Sequence, residues 1–401
     1  MIGILWLGLG LAAAQNGFVI KGDQVHTVSG PVIDNGVVVV VDGRIQSVGS
    51  VQDIQWPEDW PVYHGAVVVP GLIDAMGTAG LTGANNQGFD QDHRDGESDL
   101  QPALRALDAY NPHDSLVEWV RGYGVTTLHV GPSPGSPVGG RTLLTHTLGG
   151  SVDEVAIIED GFVVFSLGEP AKRSRSRSGP RSRMGSAAIV RQMLYEAKQY
   201  QSRQRLPLAD RPPLDLGLQA LVELLEGKRR AVFHAHRADD LLTALRIADE
   251  FGLNIVLAGA TEGYLIRDRI AQANVPVIVG PIMAHSRFAG ERRNATFENA
   301  ALLSEVGVPL AFMSGYQGYV PKVRVVLWEA AIAAANGLGP HTTLEALTLG
   351  AARILGVDDT LGSLDPGKVA DVVIYDGDPF QYTSHACLVV IAGVVVSDTC
   401  R

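Results

Sequence analysis

The sequence predicts an α/β protein in which a TIM (β/α)8 barrel carries a small β-sandwich domain formed by the N- and C-terminal segments. Val- and Ile-rich runs broken by Gly and Asp occur at both ends of the chain, which is the pattern of short strands and hairpins. Between about residues 71 and 355, apolar runs alternate with amphipathic stretches, which is the pattern of parallel β/α units. Eight apolar runs in this middle region match the eight strands of one barrel.

The composition supports a large folded core. The 401 residues are 46% hydrophobic and 19% charged, which excludes a disordered chain. With 43 acidic and 32 basic residues the net charge is -11, so we expect no nucleic-acid partner. Two cysteines exclude a disulfide framework and a four-thiolate zinc site. Eleven histidines are enough for a histidine-based metal site, so their positions decide whether one exists.

The terminal segments predict the sandwich. Residues 15–70 contain the runs FVIKGDQVHTV, GVVVVVDGRIQSVG and AVVVPG, and residues 356–401 contain KVADVVIYDG, CLVVIAG and VVVSDTC. Asp42-Gly43 and Ala392-Gly393 occupy hairpin-turn positions. We therefore expect the barrel over residues 71–355.

The middle region supplies the strands and helices of the barrel. The strand candidates are VVVPGLID, VTTLHVG, RTLLTHT, FVVFSLG, AVFHAH, NIVLAGA, VPVIVGP and PLAFMSG. Several of the helical stretches between them, such as DDLLTALRIADEFG, end at Gly, as helix C-termini often do. In such a barrel the chemistry lies at the C-terminal ends of the strands, so the residues just after each run are the candidates for function.

The first fourteen residues resemble a secretory signal peptide. Residues 1–14 (MIGILWLGLGLAAA) form an apolar run that ends in small residues, but the run has no Lys or Arg. The alternative is a truncated or mis-started first strand. The run is too short to span a bilayer, and no later run reaches about eighteen apolar residues, so we expect no membrane span. We expect an exported protein, periplasmic or extracellular.

Export would permit a disulfide between Cys387 and Cys400, which flank the last two apolar runs. With Ala392-Gly393 as the turn, residue 387 faces residue 398, and Cys400 lies diagonally across on the same face. That separation is near or beyond the limit for a disulfide, so a bond and two unpaired thiols both stay open.

One segment interrupts the alternating pattern. Residues 172–183 (KRSRSRSGPRSR) hold six positive charges and no apolar residue, so we expect a solvated loop. The alternative is an arm for an anionic ligand or a nucleic acid. That alternative is disfavoured because the segment has no interleaved aromatic residues and the rest of the chain is strongly negative.

Six segments spread over the chain carry a resemblance to a known family. They are PGLIDA (70–75), LRALDAYNPHD (104–114), VTTLHVGPSPGSPVGG (125–140), HAHRADDLLTALRIADEFG (234–252), ATEGY (260–264) and residues 347–380. In these segments the chain resembles the amidohydrolase superfamily, in its imidazolonepropionase-like branch, which includes exported members. The resemblance implies a TIM barrel with a small β-sandwich and hydrolysis of carbon–nitrogen bonds. It also implies a divalent metal, such as zinc, that activates water and polarises a carbonyl.

Most of the metal positions that the resemblance implies are lost. The segment after PGLID has no imidazole, and neither Met76 nor Thr78 can replace one. Only strand five keeps a histidine at its position, either His234 or His236, and His234 is the favoured one, as a vestigial metal ligand. One imidazole does not hold zinc, so we expect no cofactor. The four lost positions are Ala75/Gly77 for the H-x-H pair, Val164 for the strand-four lysine, Gly259 for the strand-six histidine and Gly315 for the strand-eight aspartate.

Five polar residues near predicted strand ends form a candidate small-ligand site in the barrel mouth. The structural alternative is that the histidines are hydrogen-bonded in place and that Arg237 and Glu262 form an ion pair. A metal site rebuilt from strand-end histidines is a further alternative that geometry decides. The sequence supports no catalytic residue, because it has no G-x-S-x-G elbow and both cysteines lie in the predicted sandwich. The candidates are His129, His146, His236, Arg237 and Glu262.

We therefore expect a metal-free pseudoenzyme with a binding or assembly role. The alternative is an active hydrolase of amide, lactam or dipeptide-like C–N bonds, with a remodelled centre around His234 and His236, since fold alone does not establish inactivity or activity. A third hypothesis is a subunit that pairs with a catalytically complete homologue. The expected partners are a small-molecule ligand and further subunits, in a homo-oligomer or in a hetero-oligomer with an active homologue.

Overall fold

The structure is a computed structural model that describes residues 17–85, 87–172, 179–283, 290–316 and 326–400. The predicted signal segment 1–14 and residues 173–178 of the predicted basic loop lie outside the described residues. None of the helices within the described ranges is long and apolar enough to cross a membrane.

Strands and helices alternate through the middle of the chain, with strands alone at both ends. The strands are β1 (Gly17–Val25), β2 (Ile33–Val41), β3 (Arg44–Ser50), β4 (Val62–Pro70), β5 (Leu72–Gly77), β6 (Val125–Val130), β7 (Val138–Arg141), β8 (Leu143–His146), β9 (Ala156–Ile158), β10 (Val163–Ser166), β11 (Ala231–Ala235), β12 (Ile255–Gly259), β13 (Val277–Val279), β14 (Leu310–Phe312), β15 (Val372–Tyr375), β16 (Ala386–Ile391) and β17 (Val394–Ser397). The helices are α1 (Ser115–Arg121), α2 (Val152–Val155), α3 (Glu169–Lys172), α4 (Arg183–Gln204), α5 (Leu216–Leu225), α6 (Ala238–Phe251), α7 (Arg267–Gln272), α8 (Asn299–Ser304), α9 (Val326–Ala333), α10 (Pro340–Leu347) and α11 (Leu349–Leu355).

The two ends of the chain form one seven-stranded sheet. Its strand order is β17-β16-β15-β4-β1-β2-β3, so strands from the first and last parts of the sequence are hydrogen-bonded neighbours. Side chains such as Ile20, Val38 and Val68 pack into one buried core, as the pattern of these strands predicts. The pairing shows one sheet, and the two-layer sandwich remains a prediction.

Both predicted hairpin turns are confirmed. Asp42 and Gly43, with φ of 48° and 80°, join β2 to β3, and Ala392 and Gly393, with φ of 50° and 76°, join β16 to β17. Two successive positive φ angles are the type I′ pattern. The turns lie against each other, because a Cβ added to Gly393 would come within 2.2 Å of the Cα of Gly43. Next to the second hairpin a disulfide joins Cys387 to Cys400, which decides between the two alternatives that the sequence leaves open.

The middle region is an α/β fold made of two sheets. One has the order β14-β13-β12-β11-β10-β7, in which β10 to β14 run parallel. The other has the order β5-β6-β8-β9, in which β5 and β6 run parallel. The sheets meet where the N–H of Gly315, after β14, donates to the carbonyl of Met76 on β5 at 3.1 Å. The α/β class is confirmed, while the pairing among the described strands does not close one ring.

The run RTLLTHT differs from the prediction in its direction. It spans the end of β7 and all of β8, and β8 runs antiparallel to β6 with His146 opposite Thr127. The expectation of a parallel barrel strand in this run is therefore wrong. Between β7 and β8 lies Thr142, whose Oγ1 accepts from the N–H of Phe162 at 2.7 Å.

Apolar side chains fill the space between the strands. Val164, Val232, Val256 and Ile278 belong to one buried cluster, together with Met76. The interior is therefore packed, as in a barrel core. The ends of the strands, and not the interior, offer room for chemistry.

Candidate functional site

The candidate site lies at the C-terminal ends of the parallel strands. His234 is on β11, His236 follows that strand, Arg292 follows β13, and Tyr316 follows β14. The ring centroid of His234 is 4.8 Å from that of His236 and 5.4 Å from that of Tyr316. These side chains therefore form one contiguous group at the mouth.

Both histidines of this group are buried and neutral near pH 7. Burial, and after it the positive charge of Arg292, lowers the pKa of His234 to about 3. Burial lowers the pKa of His236 well below its ordinary value, and His234 and Arg292 lower it further. Nδ1 of His234 is buried and has no hydrogen-bond partner among the described residues.

The hydrogen bonds of His236 fix its tautomer. A guanidinium can only donate, so Nε2 of His236 accepts from Nη2 of Arg292 at 3.1 Å. Nδ1 then carries the proton and donates to Oγ1 of Thr261 at 2.8 Å. Both ring nitrogens are therefore used by the protein itself.

Arg292 is a residue that the sequence reasoning missed. Burial lowers the pKa of its guanidinium, while Glu291 and Glu329 oppose the shift. Its Nε and Nη1 are buried without a hydrogen-bond partner in the described part of the chain. Arg292 stands in the run ERRNATF, which has no motif. The weak signal available was its position after a barrel strand.

His129 is hydrogen-bonded in place, as the structural alternative expected. Its Nδ1 donates to the carbonyl of Ala75 at 2.7 Å, and its Nε2 accepts from Oγ1 of Thr142 at 2.7 Å. Burial lowers its pKa to about 4. Both nitrogens are occupied, so the ring bridges β5 and β6 and offers no free atom to a ligand.

His146 lies at the opposite end of the strands. It pairs with Thr127 near the start of β6, and its Nδ1 is 3.4 Å from Oδ2 of Asp371. Burial lowers the pKa of His146, but the Asp371 carboxylate raises it above the ordinary value overall. The structure does not bring His146 together with His234 or His236. Nor does it assemble the alternative metal site of His129, His146 and His234.

Arg237 and Glu262 do not pair with each other. Arg237 is half-buried and binds Asp239 through two hydrogen bonds of 2.9 Å. One carboxylate oxygen of Glu262 accepts from the N–H of Ala238, the first residue of α6, at 2.9 Å. The other accepts from Nδ2 of Asn294 at 2.9 Å. The ion pair given as the structural alternative is therefore wrong, because Glu262 caps α6 and Arg237 binds Asp239.

Two of the lost ligand positions are crowded, so an added side chain would press on its neighbours. A Cβ on Gly259 would lie 3.0 Å from Cε1 of His236, and one on Gly315 would lie 3.0 Å from Cδ of Pro281. Their φ angles are +87° and +81°, which L side chains rarely adopt. At a third position Val164 points into the apolar core. The vacated space is therefore filled by other groups.

Asp74 and Ser314 fill the space at the remaining lost position. Ser314 donates through Oγ to Oδ2 of Asp74 at 2.5 Å and through its N–H to Oδ1 at 3.0 Å. Burial raises the pKa of Asp74 to about 6, although these bonds and one from Met76 oppose the shift. A Cβ on Gly77 would lie 2.8 Å from Oγ of Ser314 and 2.9 Å from Oδ2 of Asp74.

The residues present do not fit the divalent metal that the resemblance implies. Zinc needs at least three protein ligands, and here only His234 has a free ring nitrogen among the aligned positions. The guanidinium of Arg292 lies beside both imidazoles and repels a cation. Elsewhere in the described chain, three close metal-ligating side chains occur at Asp376, Cys387 and Cys400, but the two sulfurs are joined in the disulfide.

An ion-pair network lies beside the mouth and includes both described ends of the predicted basic loop. Arg183 binds Oδ2 of Asp240 at 2.9 Å, Oε1 of Glu291 at 3.1 Å and Oε1 of Glu169 at 3.5 Å. Lys172 binds the same oxygen of Glu169 at 2.6 Å. Lys172 and Arg183 are therefore anchored to the protein, whereas the sequence predicted a solvated loop.

Known proteins resemble this chain over most of its length. A profile described as amidohydrolase family matches residues 267–397. An amidohydrolase from Thermotoga maritima with a known crystal structure shares 31% sequence identity with this chain. The two structures superpose with a TM-score of 0.89, and the match covers 95% of this chain and 100% of that one. Amidohydrolase tasK from Hapsidospora irregularis is 23% identical over 397 residues, 91% of this chain.

The match to tasK covers 39% of that protein, so the present chain spans well under half of its length. The imidazolonepropionase of Shewanella putrefaciens is 38% identical over 76 residues, 19% of each chain. The chain therefore belongs to the amidohydrolase superfamily, in its imidazolonepropionase-like branch.

Proposed function

We propose that the protein is a metal-free pseudoenzyme that binds a small molecule at the mouth of a TIM barrel. The observation that carries the proposal is Arg292. Its guanidinium donates to His236 and its charge lowers the pKa of His234, which stands at the family's strand-five ligand position. A positive charge therefore lies beside the one histidine at which the resemblance implies a metal ligand.

Gly259 and Gly315, at two of the lost ligand positions, also support a metal-free function. Side chains added at Gly259 and Gly315 would meet His236 and Pro281, and both backbones have a positive φ. Restoring a ligand side chain at either position would therefore strain the backbone and push on a neighbouring group.

Elemental analysis of the untagged, full-length protein tests this function. We expect zinc, nickel and manganese far below one ion per chain. An imidazolonepropionase purified in parallel is the control for metal loss during purification. Near-stoichiometric metal in the protein would overturn the proposal.

The alternative function, a hydrolase with a remodelled centre around His234 and His236, has one observation in its favour. Nδ1 of His234 is unpartnered among the described residues, and a neutral imidazole can accept a proton. The test is turnover of amide, lactam and dipeptide substrates by the wild type and by His234→Ala. We expect none from either. Turnover that His234→Ala abolishes would establish the alternative.

We also propose that the two sheets of the middle region are parts of one TIM barrel with a terminal β-sandwich, and that the protein is exported. The disulfide between Cys387 and Cys400 supports export, because such bonds persist in oxidising compartments. A homo-oligomer, or a hetero-oligomer with an active homologue, remains the expected assembly. Sedimentation of the purified protein, alone and with such a homologue, measures it.

A further inference from the structure

Side chains that can bind a metal meet at one edge of the seven-stranded terminal sheet. Asp376 follows β15, Cys387 lies at the start of β16, and Cys400 follows β17. Since β16 runs antiparallel to both β15 and β17, the end of β15, the start of β16 and the end of β17 share one edge. Both sulfurs and a carboxylate oxygen of Asp376 lie within 4.8 Å of one another.

The carboxylate of Asp376 is oriented by His385. The N–H of His385 donates to Oδ1 of Asp376 at 2.7 Å, and Nδ1 of the ring donates to Oδ2 at 3.0 Å. Carboxylates that bind metals are commonly held by such outer hydrogen bonds. Each carboxylate oxygen has a further lone pair for a cation, so these bonds do not occupy the ligand position.

The backbone keeps the two cysteines close without help from their disulfide. β16 and β17 form a hairpin in which Val389 is the register partner of Ser397. Cys400 is exposed and Cys387 is half-buried, so a reductant has access to the bond between them. Reduction therefore leaves two sulfurs side by side at the surface, next to the Asp376 carboxylate.

Reduction supplies the form of sulfur that binds metals. A dithiol gives two electrons and two hydrogens to the Cys387–Cys400 bond, becomes a disulfide itself and leaves two protein thiols. A metal ion that binds both sulfurs then displaces the two thiol protons, because the thiolate is the ligand.

The chemistry of this group favours a soft divalent cation. Two thiolates and one carboxylate carry three negative charges, and zinc accepts both kinds of ligand in tetrahedral sites. Mg²⁺ and Ca²⁺ prefer ligand sets made of oxygen alone. The three protein ligands leave the fourth position of a tetrahedral ion to water.

We propose that reduction of the disulfide opens a zinc-type metal site formed by Asp376, Cys387 and Cys400. The disulfide and the metal are alternative ways of fastening the end of the chain to β16. The inference goes beyond the proposed function, because the site lies in the terminal sheet and uses no residue of the barrel mouth.

Zinc uptake by the full-length, untagged protein tests the site in both redox forms. A phosphine reduces one sample without adding a competing thiol, and gel filtration removes unbound Zn²⁺ before elemental analysis. We expect about one zinc per reduced chain, far less in the unreduced protein, and a zinc-dependent rise of the Tm in the reduced form alone. Equal uptake by both forms, or uptake by neither, would overturn the proposal.

Asp376→Asn tests the carboxylate ligand, with Asp378→Asn as the matched control in the same loop. We expect Asp376→Asn to weaken zinc binding to the reduced protein at least about tenfold. Asp378 accepts from the N–H of Phe380 at 2.9 Å, a bond that asparagine can keep, so its variant should retain the wild-type affinity. Wild-type affinity in Asp376→Asn would contradict the assignment.

The Cys387→Ser, Cys400→Ser double variant tests the sulfur ligands. Under reducing conditions we expect it to take up no zinc. Cd²⁺ should produce the ultraviolet absorption of metal–thiolate bonds in the reduced wild type and not in this variant. Zinc uptake by the variant equal to that of the reduced wild type would place the metal elsewhere and overturn the proposal.

The metal-free function and the cysteine site can fail separately. Metal in the protein that carries the disulfide, or in the double variant, would overturn the metal-free function of the barrel. Metal that binds only after reduction, and that the double variant does not bind, would support the cysteine site and leave the barrel proposal intact.

Discussion

Gly259 combines a left-handed backbone with a crowded Cβ position, and the two effects can be measured apart. Gly252, at the end of α6, has φ of +65° and nothing within 4 Å of an added Cβ, whereas Gly259 has φ of +87° and His236 at 3.0 Å. We expect Gly252→Ala to lower the free energy of unfolding by about 1 kcal/mol, the cost of the left-handed conformation. Gly259→Ala should cost about 3 kcal/mol, since overpacking adds to that cost.

Urea denaturation of both glycine variants measures these differences. Equal losses of unfolding free energy in the two variants would show that the His236 ring moves aside at little cost. A histidine could then be restored at position 259 more easily than the contact distance indicates.

Asp74 gives stability a dependence on pH whose sign follows from its raised pKa. The pKa is about 6 in the folded protein against an ordinary value of 3.8, so the folded state binds the proton more tightly. The contribution of Asp74 to stability is therefore fully present below about pH 4 and is lost as the pH rises through about 6. Asp74→Asn lacks this dependence. From pH 4 to pH 7 the variant should gain about 2 kcal/mol relative to the wild type.

Chemical denaturation of both proteins across this pH range measures the effect. His129, whose pKa is lowered to about 4, changes stability in the opposite direction, but it is common to both proteins and cancels. A difference between the two proteins that does not change with pH would contradict a raised pKa for Asp74.

At the scale of elements, α4 is held to the barrel mouth by the Arg183 network. The side chains of Asp240 and Glu291, which bind Arg183, are 4% and 3% exposed. Arg183→Met would leave these carboxylates buried without their cation, so we expect a loss of about 3–5 kcal/mol in the free energy of unfolding.

Arg191→Met is the matched control on the same helix. Arg191 binds Glu250 at 2.6 Å, with both side chains about one-third exposed. Its loss should cost at most about 1 kcal/mol. Similar losses for Arg183→Met and Arg191→Met in urea denaturation would show that the buried network contributes little.

The sequence predicts where the strands lie better than it predicts which residues meet at the site, because it does not show the direction of each strand. Apolar runs identify strands, and all eight runs that the sequence marks lie on strands. The spacing of apolar residues does not reveal which way a strand runs, however, and β8 runs antiparallel to β6. The end of β8 therefore takes His146 away from the mouth to Asp371. Arg292 could not be predicted for a similar reason, because a long-range contact with His236 defines its role.

At the scale of the whole molecule, strands from both ends of the chain form one sheet. A disulfide links the segment after its last strand, β17, to the neighbouring strand β16. β17 pairs only with β16 among the described strands, and Cys387–Cys400 joins the end of the chain to β16. Closing a loop of 13 residues stabilises the folded state by about 3 kcal/mol through the entropy of the unfolded chain. Reduction should therefore lower the Tm of the wild type and leave that of a Cys387→Ser, Cys400→Ser double variant unchanged. A thiol titration of the unreduced, denatured wild type should find no free thiol, and two free thiols would contradict the bond.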